Sequence, residues 1–417
     1  MPNSFNTSAP KLPAKNLSPQ CYESMFVGCS ALTAAPELPA TILAESCYHY
    51  MFSGCTSLTS APYLPATTLA ERCYYKMFEG CSDLCEIQVD FTSWDNSNTT
   101  EWVKNVSRTG VFICLNTLEQ IIDDSHIPKG WVVENPLTFT ANKDGSTIGF
   151  AQIAEGATIQ YNEGTGWKDA STSTSIILNS GEYVMFKGDY SGATLSNSNY
   201  TQFAITGKVS ASGDINSLTN GKGGNIRLKN KNYYNLFNGC KGLTDASKLK
   251  LPSTTMADYC YQYMFLGCSA LTSAPALPAK ILAESCYEYM FSGCEALTTA
   301  PELPATTLAE KCYFKMFSDC KALTTAPKLP ATTLAESCYN GMFSNCTSLT
   351  IAPELPATEL KTSCYYQMFI GCSNLSEITV AFTDWNKLIN ATYEWVDGVA
   401  STGAFICPID LEDKRGI

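Results

Sequence analysis

Residues 286–311 read CYEYMFSGCEALTTAPELPATTLAEK, and near copies of this 26-residue unit recur along the chain. Both cysteines of the unit recur in step and form two ladders of positions. The first ladder comprises Cys21, Cys47, Cys73, Cys260, Cys286, Cys312, Cys338 and Cys364, and the second comprises Cys29, Cys55, Cys81, Cys240, Cys268, Cys294, Cys320, Cys346 and Cys372. A sequence period of about 20–50 residues is typical of repeat proteins, in which each unit buries its core against its neighbours.

Each unit contains two segments with different predicted structures. The stretch Cys-Tyr-x-x-Met-Phe-x-Gly-Cys has apolar residues at helical spacing and ends in glycine, so it predicts one or two turns of α-helix or 3₁₀-helix. Asp319 and Asn345 replace that glycine in two units, and Asn also tolerates the left-handed conformation. The stretch Leu-Thr-x-Ala-Pro-x-Leu predicts a very short strand, or one that pairs before the proline, because proline lacks a backbone donor.

Each set of repeats is followed by a related segment that contains two tryptophans. The corresponding pairs are Trp94 and Trp385, Trp102 and Trp395, and Cys114 and Cys407. We interpret the two segments as caps, because a stack of repeats needs its open core sealed. A tryptophan platform for sugars is the alternative interpretation.

A segment of different composition separates the two sets of repeats. It lacks cysteine and the 26-residue period, and its β-rich runs are LTFTA, STIGFAQI, ATIQYN, SIIL, EYVMFKG and QFAITGKV. Short runs between turn residues predict a small antiparallel sandwich. We therefore expect three domains: a repeat array with its cap at 1–134, a β-module acting as a spacer at 135–225, and a second array with its cap at 226–417.

Composition excludes several classes of function. The chain has 417 residues and a net charge of −12, which disfavours nucleic acid and anionic membrane surfaces as partners. An apolar run of membrane-spanning length is missing from the sequence. The only histidines are His49, at a position that varies between repeats and is therefore expected on the surface, and His126. A nucleophile–histidine arrangement is consequently hard to build, and we expect no enzyme activity and no cofactor or metal.

The Phe-x-Gly-Cys-x-x-Leu core of the units at 11–85 and 232–375 resembles the BspA-type leucine-rich repeats of surface proteins from anaerobic gut and oral bacteria. The Ala-Pro-x-Leu-Pro run departs from the plainer repeats of that family, which have isoleucines there. The resemblance implies a leucine-rich repeat solenoid, with a short strand and a short helix or 3₁₀ turn per unit, in two arrays around the all-β sandwich-like module. It also implies a surface-attached binding protein, but no particular ligand, because the fold is a scaffold.

The ladder cysteines are expected to be buried, reduced thiols, since free cysteine packs as a small hydrophobic residue. If these cysteines formed disulfides, each would have to pair with the cysteine of one adjacent repeat, although the cysteine of the other adjacent repeat is equivalent. Zinc is disfavoured because no Cys-x-x-Cys pair exists. Cys85, Cys114 and Cys407 are the expected exceptions to this buried, reduced state.

Aromatic residues at variable repeat positions are the candidate ligand contacts. They are Tyr50, Tyr63, Tyr75, Tyr263, Tyr289, Phe314 and Tyr366. Tyrosine offers contact area together with a polar tip, which suits binding surfaces. The alternative is a purely structural role, in which these rings only pack against neighbouring repeats.

Three functions are carried forward. The first is a non-enzymatic adhesin that recognises a host or bacterial surface protein through the repeat face. The second is a glycan-binding component of a surface nutrient-uptake system, with a phage virion attachment protein as a further alternative. The third is an enzyme, which would need an acid–base pair that the sequence does not reveal. Cell-surface or extracellular localisation rests on the resemblance alone, since the first residues, MPNSFNTSAPK, lack the apolar stretch of a signal peptide. Because residues 9–14 are the second half of a repeat and the second cap stops before a counterpart of 127–131, we expect a longer parent protein.

Overall fold

The computed structural model describes residues 9–95, 97–114, 118–164, 166–385 and 390–411. The chain divides into two compact units, one formed by residues 1–135 with 164–166, and the other by residues 136–163 with 167–417. The three-domain boundaries expected from the sequence stay a prediction. The expectation about a signal peptide concerns residues that lie largely outside the described ranges.

Successive repeats are joined by a backbone ladder. In the second repeat, the N–H groups of Tyr48, Tyr50 and Phe52 donate to carbonyls 25 residues further along, at 3.1, 3.0 and 2.9 Å. The residues between them bond locally instead, as when the N–H of Met51 donates to the carbonyl of Tyr48 at 3.1 Å. Alternate residues therefore link neighbouring repeats, and the rest hold each repeat in its own turns.

The predicted helix or 3₁₀ turn is wrong for this segment, which forms a run of turns in every described repeat. Every fourth residue has a positive φ, for example 53° at Ser46, 55° at Tyr50 and 74° at Gly54. A right-handed helix requires negative φ throughout, so this alternation excludes it. The left-handed conformation expected where glycine is replaced is confirmed, with φ of 62° at Asp319 and 60° at Asn345.

The short strand expected in each unit shrinks to a single bridge in most repeats. Ser273 pairs in parallel with Thr299, which pairs with Thr325, and each lies two residues before a proline. This agrees with the expectation that pairing takes place before the proline, where backbone donors are still available.

The core of each unit is a set of stacked side chains contributed once per repeat. Tyr287 lies 5.9 Å from Tyr313 with rings 11° apart, and Phe291 lies 5.6 Å from Phe317 with rings 5° apart. The methionine, leucine and cysteine positions of the repeat are buried beside these rings. A single 26-residue unit could not bury these side chains, so the stack is the folding unit.

The first unit ends in a three-stranded parallel sheet. Its strands are β1 (Glu86–Gln88), β2 (Val111–Ile113) and β3 (Val132–Glu134), in the order β1-β2-β3. Trp102 is fully buried against the last repeat, and its ring lies 6.0 Å from that of Phe78. This packing supports the interpretation of the segment as a cap.

The second unit begins with a β-rich module. Its elements are β4 (Leu137–Ala141), β5 (Ser146–Gln152), β6 (Thr158–Asn162), β7 (Lys168–Asp169), β8 (Ser175–Leu178), β9 (Tyr183–Asp189), β10 (Gln202–Thr206), β11 (Val209–Asp214) and α1 (Ser217–Asn220). All six runs identified in the sequence contain a strand, and QFAITGKV contains parts of two. One sheet has the order β10-β5-β8, and β4, β6, β7, β9 and β11 belong to a second, larger sheet. Aromatic residues of the two sheets meet in the core, where Phe203 contacts Phe139 and Phe150 contacts Phe186.

The module also covers the first repeat of the second set. β12 (Leu243–Lys250) pairs in parallel with β11, which extends the larger sheet to the order β12-β11-β4-β9-β6-β7. The ring of Phe237 lies 5.6 Å from that of Phe203, and the thiol of Cys240 donates to the carbonyl of Phe203 at 3.2 Å. The expectation of a mere spacer is therefore wrong, because module and repeats share one core.

The second unit ends in two parallel strands, β13 (Glu377–Thr379) and β14 (Ala404–Ile406). Trp395 is 1% exposed beneath them, as expected for a cap. No helix in the described residues is long and apolar enough to cross a membrane.

Candidate functional site

Three of the candidate ligand contacts fall on one line along the second unit. Tyr263, Tyr289 and Phe314 come from three consecutive repeats, and the line continues to Tyr234 and Tyr200 at its start. We name these five residues the aromatic row. All five are partly exposed, so the row presents a continuous apolar strip with phenolic hydroxyls to solvent.

The rings of the aromatic row contact each other edge to face or at a tilt. Ring centroids are 5.2 Å apart for Tyr200 and Tyr234, 5.6 Å for Tyr234 and Tyr263, 5.3 Å for Tyr263 and Tyr289, and 5.5 Å for Tyr289 and Phe314. The corresponding interplanar angles are 73°, 74°, 41° and 53°. Such contacts are favourable between aromatic rings, and they hold each ring in a fixed orientation.

A lysine contacts the row near each of its ends. The Nζ of Lys231 is 5.1 Å from the ring centre of Tyr234, and the Nζ of Lys315 is 5.8 Å from those of Tyr289 and Phe314. Both distances are within cation–π range. Partial burial lowers the pKa of Lys231, in opposition to the nearby carboxylates of Glu288 and Glu284.

Tyr234 and Tyr263 of the row stay neutral over the physiological range. Burial raises the pKa of Tyr263 to about 12, and the negative charge of Glu288 adds to the effect. Burial also raises the pKa of Tyr234. Their hydroxyls are therefore available as both hydrogen-bond donors and acceptors.

Two tyrosines of the row occupy a backbone conformation that bulky residues avoid. Tyr263 and Tyr289 have φ of 59° and 53°. The repeat imposes this conformation at the same position throughout, where Asn235 and Gly341 have φ of 60°. Glycine and asparagine adopt it at lower energetic cost than tyrosine, so a tyrosine here needs a compensating role in packing or binding.

The row ends at Gly341. A Cβ atom there would lie 2.7 Å from Cγ of Lys315, whose stem occupies the space of the missing side chain. Beyond this gap, Tyr366 stacks on Tyr393 with a centroid distance of 5.3 Å and an angle of 20°. Tyr366 therefore belongs to a separate pair and not to the row.

In the first unit, Tyr50 and Tyr75 form a separate cluster with His49 and Lys76. The imidazole of His49 lies 4.5 Å from the ring of Tyr50 and 4.8 Å from that of Tyr75. Its Nδ1 is 3.0 Å from a carboxylate oxygen of Glu23, and its side chain is 19% exposed. His49 is thus only partly exposed, beside two aromatic rings and an acid, and the surface position expected from the sequence holds in part.

Charged residues complete this cluster. Lys76 lies 3.1 Å from Glu101, and that hydrogen bond is the main reason that its pKa is raised. Hydrogen bonds from Lys104 and then Lys76 lower the pKa of Glu101. The cluster is therefore a mixed aromatic and ionic patch, whereas the row in the second unit is mainly aromatic.

Tyr63 joins neither group. It lies in the proline-rich half of its repeat, is partly buried, and donates its hydroxyl proton to the carboxylate of Asp90.

Sequence reasoning overlooked Tyr234, Lys315 and Lys76. Aligning the variant Leu236-Phe237 pair with the Met-Phe pairs would have placed Tyr234 at the position of Phe314, and the same alignment places both lysines at the position of Tyr289.

The first cap has a recess of about 610 Å³ lined by Trp94, Glu119, Asp123 and His126, among others. Trp94 meets Phe91 at 5.0 Å and 70° and His126 at 4.9 Å and 82°. Its indole N–H donates to the carbonyl of Glu119 at 2.6 Å. These contacts account for Trp94 as a packing residue and favour the cap over the sugar platform.

The ladder cysteines form no disulfides with one another. All are buried except Cys21 and Cys29, which belong to the first repeat. Burial raises the pKa of Cys47 and of Cys364 to about 11 in each case. Cys85 and Cys407 are exposed, but the expected exception at Cys114 is wrong with respect to burial, since Cys114 is 3% exposed and its N–H donates to the carbonyl of Glu134 in β3.

The comparisons with known proteins address the repeats. The family model described as BspA type leucine-rich repeat region matches in six copies, over residues 229–350 and 307–390. Among solved structures, a leucine-rich repeat protein from Eubacterium ventriosum is similar at 12% identity, over 88% of this chain and 82% of that chain. Its TM-score of 0.19 supports no structural argument. No curated protein matches the chain significantly. The family model thus matches the repeats of residues 229–390, which confirms for this part of the chain the resemblance inferred from the sequence.

Proposed function

We propose that this chain is a non-enzymatic binding protein that recognises a protein ligand through the aromatic row of its second unit. The observation that carries the proposal is the row itself, a continuous strip of partly exposed rings from Tyr200 to Phe314, with Lys231 against Tyr234 and Lys315 against Tyr289 and Phe314. Tyrosine-rich surfaces with cationic neighbours are typical of protein interfaces. A repeat family that is generally non-enzymatic agrees with this function.

The row has the properties of a preorganised interface. Each ring is held by its neighbours, so little side-chain entropy is lost when a ligand binds. The left-handed backbone at Tyr263 and Tyr289 fixes the direction in which these side chains leave the chain. The retention of tyrosine where asparagine or glycine would be less strained supports a role in recognition.

The ring geometry favours a protein ligand over a glycan. A sugar ring stacks on an open aromatic face, but the 73° and 74° angles along Tyr200, Tyr234 and Tyr263 direct one ring's edge at the next ring's face. A protein surface can use the exposed edges and hydroxyls together with the two lysines. Glycan binding is therefore the second candidate.

The proposal extends to architecture and location. Each set of repeats would form a solenoid, since most repeats donate hydrogen bonds to the next with an offset of 25 residues. The proposal includes cell-surface attachment, which is supported by the match to BspA-type repeats, since proteins with these repeats are typically surface proteins. The row would then face ligands on host or bacterial surfaces.

The experiment is a binding array of host matrix proteins and gut-relevant glycans, probed with the full chain and two variants. Tyr263→Asn and Tyr289→Asn remove the ring while keeping a residue that tolerates the left-handed conformation, as Asn235 does. We expect binding to one or more proteins, with an affinity loss of about tenfold or more in each variant, the usual effect of truncating an aromatic hot spot.

The matched control is Gln367→Asn. Gln367 occupies the same repeat position with φ of 51°, but lies beyond the gap at Gly341. Its substitution should leave affinity unchanged. Equal losses for Gln367→Asn and Tyr289→Asn, or binding to glycans alone, would contradict the proposal.

A further inference from the structure

Near its start, the aromatic row holds a cation that belongs to the chain itself. The Nζ of Lys231 lies 3.9 Å from the ring centre of Tyr259 and 5.1 Å from that of Tyr234. The carboxylates of Glu284 and Glu288 attract the same ammonium group, and Glu284 also accepts a hydrogen bond from the hydroxyl of Tyr259. Aromatic rings and carboxylates thus hold this cation together, and each of the two groups favours a positive charge.

The middle of the row, at Tyr263, contains the same elements. The N–H of Tyr263 donates to the carbonyl of Glu288 at 3.0 Å, which places Glu288 beside Tyr263 in the next repeat. The negative charge of Glu288 adds to the effect of burial in raising the pKa of Tyr263 to about 12. The same charge acts on Tyr234. A carboxylate is therefore held close to two rings of the row.

The middle of the row has no cation of its own in the part of the chain that the structure describes. The lysines that contact the row there meet rings other than that of Tyr263. Glu288 is partly exposed and forms no ion pair with a described residue. Lys311 of the next repeat is bound instead to Glu310, at 2.7 Å. Tyr263 and Glu288 therefore offer a ring and a carboxylate to a cation from outside.

A line of acids runs beside the row. It occupies one position in four consecutive repeats and consists of Asp258, Glu284, Glu310 and Glu336. Backbone bonds between repeats hold it, since the N–H of Ser285 donates to the carbonyl of Glu310 at 3.0 Å and the N–H of Lys311 donates to that of Glu336 at 3.1 Å. All four acids are at least partly exposed.

The charge of this face favours a cationic partner. The four acids of the line and Glu288 outnumber the three lysines that contact the row or the line, which are Lys231, Lys311 and Lys315. The whole chain carries a net charge of −12. A surface of this sign attracts a basic segment and repels an acidic one.

We propose that Tyr263 and Glu288 form a subsite for an arginine side chain of the ligand, and that the polypeptide segment bound on the row is basic. The inference rests on the proposed function, since it takes the aromatic row as the ligand-binding face. Arginine suits the subsite better than lysine, because its planar guanidinium stacks on a ring and still directs N–H donors to a carboxylate. The guanidinium supplies at Tyr263 the positive charge that Lys231 supplies at Tyr234.

The test uses the full chain and two fluorescein-labelled peptides, with binding measured by fluorescence anisotropy. One peptide is Gly-Arg-Gly-Arg-Gly-Arg-Gly, and the other has citrulline in place of each arginine, which keeps the shape of the side chain and removes its charge. The arginine peptide should bind saturably and about tenfold more tightly than the citrulline peptide. Its affinity should fall as salt is added, because exposed charges are screened.

Substitutions locate the binding on the row. Glu288→Gln should weaken binding of the arginine peptide by about fivefold, the upper range for an exposed ion pair. Tyr263→Asn should weaken it by about the same factor, and Tyr263→Phe should weaken it less because the ring remains. The matched control is Glu302→Gln, which removes the same charge from an exposed side chain in the proline-rich half of the same repeat. It should leave the affinity unchanged, and unchanged thermal unfolding would verify that each variant is folded.

Three outcomes would overturn the inference. One is the absence of saturable binding, or equal affinity for the arginine and citrulline peptides. Another is an equal loss in Glu288→Gln and Glu302→Gln, which would indicate diffuse attraction by the acidic chain. The third is tighter binding of a peptide with glutamate in place of each arginine.

The failure of this inference can be distinguished from the failure of the proposed function. If a protein ligand from the binding array loses affinity for Tyr263→Asn but not for Glu288→Gln, the row is the ligand face and the arginine subsite is wrong. If neither substitution changes the affinity for that ligand, both proposals are wrong.

Discussion

The thiol of Cys294 donates a hydrogen bond to the carbonyl oxygen of Phe265, at 3.2 Å, across the boundary between two repeats. The same bond recurs along the second cysteine ladder, for Cys55, Cys81, Cys268, Cys320, Cys346 and Cys372, at 2.9–3.1 Å. The thiol thus adds a side-chain link to the backbone ladder between repeats. Cysteine suits this position because it fills a small apolar site and still carries a weak donor.

Burial predicts a sharply divided reactivity among the twenty cysteines. Cys21, Cys85 and Cys407 are exposed and Cys29 is half exposed, whereas the other sixteen are buried. Titration of the native protein with a thiol reagent should therefore detect three fast sites and one slower site. The remaining thiols should react only after denaturation, because access and thiolate formation are both suppressed. Fast reaction of ten or more thiols in the native protein would contradict this structure.

Stability should fall steeply at alkaline pH. Burial raises the pKa of Cys260 and of Cys312 to about 12. These thiols therefore keep their protons in the folded state at pH values at which they ionise in the unfolded chain. Their stabilising contribution is complete below about pH 8.5 and is lost as pH rises toward the folded-state pKa. Each such thiol removes about 1.4 kcal/mol per pH unit in that window.

Thermal unfolding at pH 7.5 and pH 10, with a reducing agent present, checks this dependence. The melting temperature should be clearly lower at pH 10. Cys260→Ala should flatten the dependence of the unfolding free energy by about 1.4 kcal/mol per pH unit. Equal melting temperatures at the two pH values would show that the thiols are accessible in the folded state.

Two glycine substitutions should differ in cost because one meets neighbours and the other does not. A Cβ atom at Gly110 would lie 2.6 Å from the carbonyl oxygen of Cys85 and 2.7 Å from the ring of Trp131. Gly110→Ala should therefore destabilise the first unit by about 2–3 kcal/mol through overpacking. Gly267 has φ of 68° and open space around it, so Gly267→Ala should cost only the backbone strain of about 1 kcal/mol. Denaturant unfolding of both variants measures the difference, and equal costs would be inconsistent with the packing of Trp131.

The paired tryptophans of the two caps allow a matched comparison. Trp102→Phe and Trp395→Phe remove the same volume, but within the described parts of the chain only the first removes a hydrogen bond, the one to His126. Trp102→Phe should cost about 1 kcal/mol more than Trp395→Phe, the typical net value of one hydrogen bond. Chemical denaturation of the two single variants gives the comparison. A larger loss for Trp395→Phe would argue that its indole has an acceptor.

The repeat period, the inward-facing residues and the module strands could all be read from the sequence, because each depends on local alternation or on self-similarity. The conformation of the turn segment could not. Its apolar spacing fits a helix, yet hydrogen bonds to the next repeat impose a positive φ at Ser46, Tyr50 and Gly54. Those bonds form only when repeats stack, so no single unit contains the information.

The candidate site divides in the same way. Its residue types and repeat positions followed from the sequence, which identified Tyr263, Tyr289 and Phe314 as variable aromatic residues. Tertiary structure alone decided that these three form one row with Tyr200 of the β-module and that Lys315 lies against Phe314 at the end of the row. It also decided that Tyr63 is hydrogen-bonded to Asp90. The sequence by itself determined a stack of 26-residue units with buried cysteines, since self-similarity and apolar content are properties of the chain. The tertiary structure decides which rings meet, because ring contacts depend on residues far apart along the chain.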